Sequence, residues 1–303
     1  MKASLVMTMV FGLWLLFMFG LARAQTPVTV LFNVGSATIS SYTTFITSLR
    51  NAARDASLRC YGIPMLPPTT QQPKYVLVKL EADAKTVTLI YKRNNLYIMG
   101  YSDPFNGRCR YHIFSDFTGT ERTEAINTLC PDSNNREQKD IRYESNYPSI
   151  ENKAGKSRTQ VELGINILKS SIGKISGVST FTESVEAGFF LVAIQMTAEA
   201  ARYKYIENLV KTNFNRNFLP DHDMIRLEET WGKISTAIHS AKNGEISPAL
   251  NLNPPNEAPW WLTRVDDIKP YIALLNFNSG TCQLDLNAIL TLRQLDNVTF
   301  VAA

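Results

Sequence analysis

The sequence predicts an α+β fold: an N-terminal mixed or antiparallel sheet with helices, a central helical region around one buried helix, and a small C-terminal lobe. Three observations support this. Strand-forming runs alternate with turn residues up to residue 114, apolar residues recur at helical spacing between residues 161 and 238, and a proline-rich stretch then interrupts the pattern. Strands that precede helices along the chain are typical of α+β proteins.

The N-terminal half contains the predicted strands. Val28–Phe32 is a run of β-favouring residues, and a helix with Ser40 or Ser41 as its expected cap follows it. The apolar side of that helix carries Phe45, Ile46, Leu49, Ala52 and Ala53. Further strands are predicted at Tyr75–Leu80, Thr86–Tyr91, Leu96–Tyr101 and Tyr111–Phe114, with a turn at Asn94-Asn95.

The C-terminal half is predicted to be helical. One helix carries Val161, Ile165, Leu168 and Ile172, and a later one carries Leu227, Trp231, Ile234 and Ile238. Between them, residues 192–205 form a nearly apolar segment that predicts a helix buried on most sides. After the prolines, residues 260–275 predict short strands and a small helix.

Both ends of the chain are expected to be removed. Lys2, the apolar run Val6–Leu21 and Ala22-Arg23-Ala24 have the pattern of a secretory signal peptide, residues 1–24. Residues 25–285 are then the domain, sheet-rich to about residue 150 and helical beyond it, and the apolar tail 286–303 is expected to be a propeptide. We expect a secreted protein, extracellular or vacuolar, without a membrane span.

Charge and cysteines restrict the function only loosely. Without Lys2 and Arg23 the chain has 29 basic and 27 acidic residues, a net charge of +2 that permits nucleic-acid binding without requiring it. An even number of cysteines in a secreted chain favours two disulfides, with three pairings possible among Cys60, Cys109, Cys130 and Cys282. No metal and no cofactor is expected, because no metal-ligand spacing is present at His112, His222 or His239.

One acid and one base lie three residues apart in the apolar segment 192–205. These are Glu199 and Arg202, and side chains at this spacing share a helix face. A charge in a core is costly unless it is paired or used. The pair is therefore either a structural ion pair or a catalytic pair that stabilises opposite partial charges on a substrate.

Several common chemistries have no support in the sequence. It contains no G-x-x-x-x-G-K-[ST] phosphate loop, no G-x-G-x-x-G fingerprint and no G-x-S-x-G elbow. Two aromatic residues near turn signals, Tyr97 and Tyr147, are further candidates, although a single tyrosine is usually just a packed side chain.

Four segments carry a more specific pattern. They are Phe32-Asn33-Val34-Gly35, Asn94–Tyr101, Ala193–Glu207 and Glu229–Ser235, and the most specific feature is E-A-A-R at Glu199–Arg202 with a downstream Trp231-Gly232. With these residues the chain resembles the type 1 ribosome-inactivating proteins. The segment Tyr61–Pro67 and the turn Asp103-Pro104-Phe105 resemble the pokeweed antiviral protein group of that family.

The resemblance implies the ribosome-inactivating protein fold and an rRNA N-glycosylase. Such an enzyme hydrolyses the N-glycosidic bond of one adenine in the purine-rich loop of large-subunit rRNA, which stops translation and serves antiviral plant defence. It implies that Glu199 and Arg202 are catalytic, and that the adenine contacts are Tyr97, Tyr147, Trp231, Ile98 and Gln195. It further implies RNA contacts at Asn94, Asn95, Phe114 and Asp116, and the disulfides Cys60–Cys282 and Cys109–Cys130. The expected partner is the ribosome, the expected product is adenine, and the expected state is a monomer.

Elementary chemistry agrees with these roles. Breaking an N-glycosidic bond leaves an electron-poor sugar, which a carboxylate stabilises, and an electron-rich purine, which a guanidinium stabilises. Two tyrosine faces bind a base that is splayed out of a loop. The alternative is a secreted defence or storage protein of the same fold that binds RNA or carbohydrate without catalysis. A general nuclease is a third possibility, although the sequence shows no histidine pair or metal cluster that supports one.

Overall fold

The computed structural model of the chain describes residues 26–53, 73–93, 95–139, 141–229 and 231. These residues contain a six-stranded sheet whose strands lie side by side in sequence order. The two outer pairs are parallel and the three inner pairs are antiparallel, which confirms the predicted mixed sheet. The strands are β1 (Val28–Asn33), β2 (Tyr75–Ala82), β3 (Lys85–Lys92), β4 (Tyr97–Phe105), β5 (Arg108–Ile113) and β6 (Arg136–Gln138).

Two tight hairpins connect the central strands. Asp83 and Ala84 join β2 to β3 with φ angles of 48° and 60°, and Asn106 and Gly107 join β4 to β5 with φ angles of 49° and 72°. Two consecutive residues with positive φ match the twist of antiparallel strands, and Asn-Gly favours this turn.

Strand β4 is irregular where it approaches the candidate site. Its register with β3 shifts between Ile90 and Tyr91, which leaves Met99 as an extra residue. The next residue is Gly100, where a Cβ atom would lie 2.0 Å from the backbone oxygen of His112. Glycine is therefore needed for β4 and β5 to approach each other here.

Helices cover the sheet and form the second half of the described chain. They are α1 (Ile39–Ala53), α2 (Gly119–Leu129), α3 (Tyr147–Ala154), α4 (Ile165–Ile175), α5 (Glu183–Ile194), α6 (Ala200–Arg202) and α7 (Lys204–Thr212). Residues 222–229 are also helical. Within the described part of the chain, every helix is too short or too polar to cross a membrane.

Two predicted helix starts are corrected. Thr38, and neither Ser40 nor Ser41, caps α1: the Thr38 hydroxyl accepts the Ser41 N–H at 3.1 Å, and the Ser41 hydroxyl accepts the Thr38 N–H at 2.9 Å. The helix expected to include Val161 begins only at Ile165, because Gly164 precedes it with a φ of 152°, which favours glycine.

The core lies between the sheet and helices α1 and α5. The rings of Phe32 and Phe45 stack at 4.7 Å between β1 and α1. Phe190 of α5 packs against Tyr101 of β4 and against Phe114, which follows β5. The buried apolar residues form one continuous cluster, which burial of nonpolar surface stabilises.

Several predictions fall outside the described residues. They concern the signal peptide 1–24, the C-terminal lobe, the tail 286–303, the turn residue Asn94 and the pair Cys60–Cys282. The division of the domain near residue 150 also stays a prediction. The second pair, Cys109–Cys130, forms the predicted disulfide, with its Cα atoms 5.7 Å apart.

Candidate active site

The segment predicted as one helix over residues 192–205 changes its winding in the middle. Helix α5 ends at Ile194, a π-helical turn covers Gln195–Glu199, and α6 follows with only three residues. Tyr203 then takes an extended conformation, with φ −131° and ψ 126°, before α7 begins. A π turn inserts one residue into a helix, and such turns are frequent at functional sites.

Buried side chains from other elements hold the π turn. The Tyr42 hydroxyl on α1 donates to the backbone oxygen of Met196 at 2.9 Å. The hydroxyls of Tyr91 on β3 and Thr197 lie 2.6 Å apart. Because these groups are buried, losing either bond would leave a polar atom without a partner, which favours this one winding.

Arg50 on α1 fixes the end of the same segment. Its Nε donates to the backbone oxygen of Ala201 and its Nη2 to that of Ala200, both at 2.9 Å. Nη2 also forms a buried ion pair of 2.5 Å with Glu207 on α7. A guanidinium thus satisfies carbonyl groups that the break at Tyr203 leaves without helical partners.

Glu199 and Arg202 form a buried ion pair, as the sequence pattern indicates. Glu199 has no solvent exposure and Arg202 is 7% exposed. Arg202 Nη1 lies 2.5 Å from Glu199 Oε1, and the Tyr147 hydroxyl donates to the same oxygen at 3.1 Å. Within the described residues, the second oxygen, Oε2, has no hydrogen-bond partner. One carboxylate oxygen is therefore held in place while the other is left for a further group.

Arg202 also holds the turn that precedes β4. Its Nη2 donates to the backbone oxygens of Asn95 at 2.9 Å and of Leu96 at 3.1 Å. Leu96 is buried with a φ of 51°, a strained conformation for a residue other than glycine. Burial by itself would lower the pKa of Arg202, but the nearby Glu199 carboxylate raises that pKa above its ordinary value. The guanidinium therefore stays charged.

Tyr97 is the exposed aromatic side chain beside this turn. It is 39% exposed, and its ring lies edge-on to Phe117 with centroids 6.1 Å apart. Its backbone N–H donates to Asn95 Oδ1 at 3.0 Å, and its phenol oxygen lies 3.2 Å from Ser145 Oγ. The turn bound by Arg202 thus places Tyr97 next to the ion pair.

Tyr147 begins α3, where the Asn146 side chain accepts the Ser149 N–H at 2.9 Å and caps the helix. The guanidinium carbon of Arg158 lies 3.9 Å from the centroid of the Tyr147 ring and covers one of its faces. Two effects raise the pKa of Tyr147 well above its ordinary value: the larger is burial, and the second is the nearby negative charge of the Glu199 carboxylate. The phenol therefore keeps its proton and donates a hydrogen bond to Glu199 Oε1.

A second buried carboxyl group lies behind the ion pair. Gln195 Nε2 donates to Glu228 Oε1 at 2.9 Å. Two effects raise the pKa of Glu228 to about 8: the larger is burial, and the second is repulsion from the Glu199 carboxylate. Glu228 therefore holds its proton to a higher pH than an ordinary glutamate does.

The remaining predicted adenine contacts lie around the same pair. Trp231 is buried, with its ring centroid 4.8 Å from the Arg202 guanidinium and 5.6 Å from the Tyr203 ring centroid. Ile98 is buried on β4 directly after Tyr97. The structure thus brings these residues, Gln195 and the four central side chains into one region.

The predicted RNA contacts differ in their exposure to solvent. Phe114 has no exposed surface, and its side chain packs against Tyr143 and Phe190 in the core. The RNA contact predicted at this position stays a prediction. Asp116 is exposed, but both of its carboxylate oxygens accept hydrogen bonds from Ser145. The contacts predicted for Asp116 and Asn95 stay predictions.

Sequence reasoning missed three residues that contact the site: Ser145, Arg158 and Glu228. Ser145 and Arg158 lie in polar loops, where no periodic pattern marks a residue as buried. Glu228 had a usable signal, because it lies three residues before Trp231 and so shares the core-facing side of an amphipathic helix. A carboxylate in that position requires a partner.

Comparisons with known proteins show the family of this chain. A family model described as ribosome inactivating protein matches residues 37–239. Ribosome-inactivating protein PD-L3/PD-L4 of Phytolacca dioica is 62% identical over 257 residues, which are 84% of this chain and 98% of that protein. Antiviral protein I of Phytolacca americana is 58% identical over 292 residues, 95% of this chain and 91% of that protein.

Solved structures give the same result. The low-temperature structure of pokeweed antiviral protein superposes with a TM-score of 0.74 at 58% identity, covering 85% of this chain and 99% of that one. Saporin-L1, solved with a cyclic tetranucleotide inhibitor described as a transition state analogue, superposes with a TM-score of 0.60 at 36% identity, over 69% of this chain and 83% of that one. The chain belongs to the ribosome-inactivating protein family.

Proposed function

We propose that this protein is an rRNA N-glycosylase that removes one adenine from an exposed loop of large-subunit rRNA and so inactivates ribosomes. One observation carries the proposal: a buried carboxylate and guanidinium, Glu199 and Arg202, share one oxygen contact while Glu199 Oε2 is without a partner among the described residues. The oxygen that is held accepts hydrogen bonds from both Arg202 and Tyr147, and the exposed Tyr97 follows the turn that Arg202 binds. The buried charges thus share contacts with the segments that carry the two tyrosine rings.

The target base is held between the rings of Tyr97 and Tyr147. Arg158 occupies one face of Tyr147, so the base stacks on the opposite face of that ring. Base–aromatic stacking contributes about 1–3 kcal/mol per base. A loop base is partly unstacked before it binds, which lowers the cost of taking it out of the RNA.

Glu199 and Arg202 then act on opposite sides of the bond that breaks. As the N-glycosidic bond lengthens, positive charge grows on the ribose and is stabilised by Glu199, which also orients the attacking water through Oε2. Negative charge grows on the adenine and is stabilised by Arg202. The attacking water supplies the hydroxyl group that ends on the ribose and the proton that ends on the adenine. Because the pKa of Arg202 is raised, the guanidinium stabilises this charge as a cation and keeps its own proton.

The proposal includes the partner and the route of the protein. The ribosome is the substrate, adenine is the product, and the protein acts as a monomer. The N-terminal segment 1–24 sends the chain into the secretory pathway, to the extracellular space or the vacuole. The support for this route is the Lys2, apolar run and Ala22-Arg23-Ala24 pattern of the sequence.

Ribosome treatment followed by aniline tests the activity. Aniline cleaves RNA at a site that has lost its base, so depurination of one adenine gives one discrete rRNA fragment. Free adenine, measured by chromatography, should appear in equal amount. The matched control is Glu199→Gln, which keeps the size of the side chain and an oxygen for Tyr147 and Arg202.

The same assay separates the alternatives. A binding protein without catalysis gives neither the fragment nor adenine. A general nuclease gives a smear before aniline is added. Either result would refute the proposed activity.

A further inference from the structure

We propose that Ser145, held by the carboxylate of Asp116, is a positioning residue that fixes the ring of Tyr97 for stacking on the base. This inference rests on the proposed function only in assigning the base to Tyr97. It also gives Asp116 a role other than contact with RNA.

The first step is a clamp between two loops. Asp116 lies between β5 and α2, and Ser145 lies just before α3. Asp116 Oδ1 accepts the Ser145 backbone N–H at 3.1 Å, and Asp116 Oδ2 accepts the Ser145 hydroxyl proton. The Ser115 N–H also donates to the backbone oxygen of Tyr143 at 3.0 Å. Ser145 is therefore fixed in both its backbone and its side chain.

The Ser145 hydroxyl links Asp116 to Tyr97. Ser145 Oγ lies within hydrogen-bond distance of Asp116 Oδ2 and, at 3.2 Å, of the Tyr97 phenol oxygen. A hydroxyl carries one proton and a carboxylate carries none. The serine proton therefore goes to Asp116, and Tyr97 donates its own proton to Ser145 Oγ. The hydrogen bond from Ser145 to the Asp116 carboxylate polarises the serine hydroxyl group. Its oxygen is therefore a better acceptor for the Tyr97 hydroxyl.

The two tyrosines differ in how firmly the protein holds their rings. Tyr147 is only partly exposed, and it is anchored by its hydroxyl to Glu199 and by its ring face to Arg158. Tyr97 is 39% exposed, and its ring meets Phe117 edge-on. The hydrogen bond to Ser145 therefore sets the direction of a partly exposed phenol ring. A base that stacks on a ring already in place loses less freedom on binding.

Binding of adenine, measured by calorimetry, tests the positioning without any catalysis. Ser145→Ala should weaken adenine binding about three- to tenfold, the effect of one hydrogen bond. On ribosomes the same variant should raise KM by a similar factor and leave kcat nearly unchanged, because Glu199 and Arg202 are untouched. Ser145→Thr keeps the hydroxyl and should restore both values.

A double-mutant cycle shows whether the effect passes through Tyr97. Tyr97→Phe removes the same hydrogen bond from the other side and keeps the ring, so it should weaken adenine binding as much as Ser145→Ala does. The double variant should be no weaker than either single variant. Additive losses would overturn the proposal, as would unchanged adenine binding in Ser145→Ala. If Ser145→Ala does not fold, Tyr97→Phe alone decides, since the proposal requires it to lose affinity.

The matched control is Ser149→Ala. The Ser149 hydroxyl accepts the Glu144 N–H at 3.0 Å in the same segment and does not contact Tyr97. It should bind adenine as the wild type does. Wild-type protein that binds adenine but leaves ribosomes intact would refute the proposed function and leave the binding test of Ser145 valid.

Discussion

The two carboxylate oxygens of Glu199 have different surroundings. Oε1 is held by Arg202 and Tyr147, whereas Oε2 has no partner in the described part of the chain. Holding one oxygen fixes the direction of the other, and catalysis depends on groups that are in position before the reaction. The position of Oε2 is therefore set by the contacts of Oε1.

Glu199→Gln should slow depurination roughly 10²–10³-fold, the cost of losing one transition-state stabiliser. The neutral amide cannot stabilise a positive sugar, although it still fits beside Tyr147 and Arg202. Single-turnover release of adenine from ribosomes measures the effect, and circular dichroism checks the fold. Activity within a factor of about two of wild type would rule out a catalytic carboxylate at this position.

Arg202→Ala should lower the free energy of unfolding by roughly 3–5 kcal/mol, because it leaves the buried Glu199 carboxylate without its cation. The double variant Glu199→Gln/Arg202→Ala should lose less stability, since no buried charge then remains. Urea unfolding measures both values. Equal losses in the single and double variants would contradict the assignment of the cost to an unpaired charge.

At the scale of elements, the site depends on a helical segment with a change of winding in its middle, made of α5, the π turn and α6. Side chains of other elements determine where the winding changes. Tyr42 and Arg50 of α1 and Tyr91 of β3 bind groups of this segment. The ion pair is therefore positioned by contacts from parts of the chain more than 100 residues away.

Arg50→Ala should destabilise the protein by about 3 kcal/mol, because it leaves two carbonyl oxygens and the buried Glu207 without this partner. Lys204, at 3.3 Å from Glu207, offsets a part of this cost. Thermal or urea unfolding measures the loss, with the exposed Arg108→Ala as control. A loss as small as that of the control would show that α1 does not hold the segment.

For the whole molecule, the buried carboxyl group of Glu228 links stability to pH. Glu228 has a pKa of about 8 in the folded protein and an ordinary value of 4.5. Between these values the folded protein keeps a proton that the unfolded chain releases. The stabilising contribution of this proton is complete below pH 4.5 and is lost as the pH rises through about 8.

Glu228→Gln should remove this dependence. The amide keeps an oxygen for Gln195 and does not ionise, so the stability of the variant relative to wild type should increase as the pH rises from 5 to 8. The slope is at most about 1.4 kcal/mol per pH unit for one proton. Urea unfolding across this range, in one buffer system of constant ionic strength, measures it. Parallel curves for the two proteins would show that Glu228 ionises normally in the folded state.

Local patterns predicted a large part of this protein. The α+β class, five of the six strands and the Glu199–Arg202 pair were visible because strand propensity, apolar spacing and an i, i+3 pair are properties of neighbouring residues, whereas the short, polar strand β6 was not predicted. The start of α4 was placed too early, since a helical pattern at Val161 is opposed by the conformation of Gly164. The burial of Phe114 was not visible in the sequence, because an aromatic residue at the end of a strand can point into the core as readily as outward.

The sequence by itself indicated the family, because E-A-A-R and the other matching segments are residue types at fixed spacing, and the resemblance to that family implied the disulfide Cys109–Cys130. Only the tertiary structure decided how the four central side chains are held: the π turn, the guanidinium of Arg158 over Tyr147, and the link from Asp116 through Ser145 to Tyr97. The physical reason is that hydrogen bonds and buried charges act over a few ångströms in space. The residues that share them can lie 50 or 150 positions apart in sequence, where no local pattern records the contact.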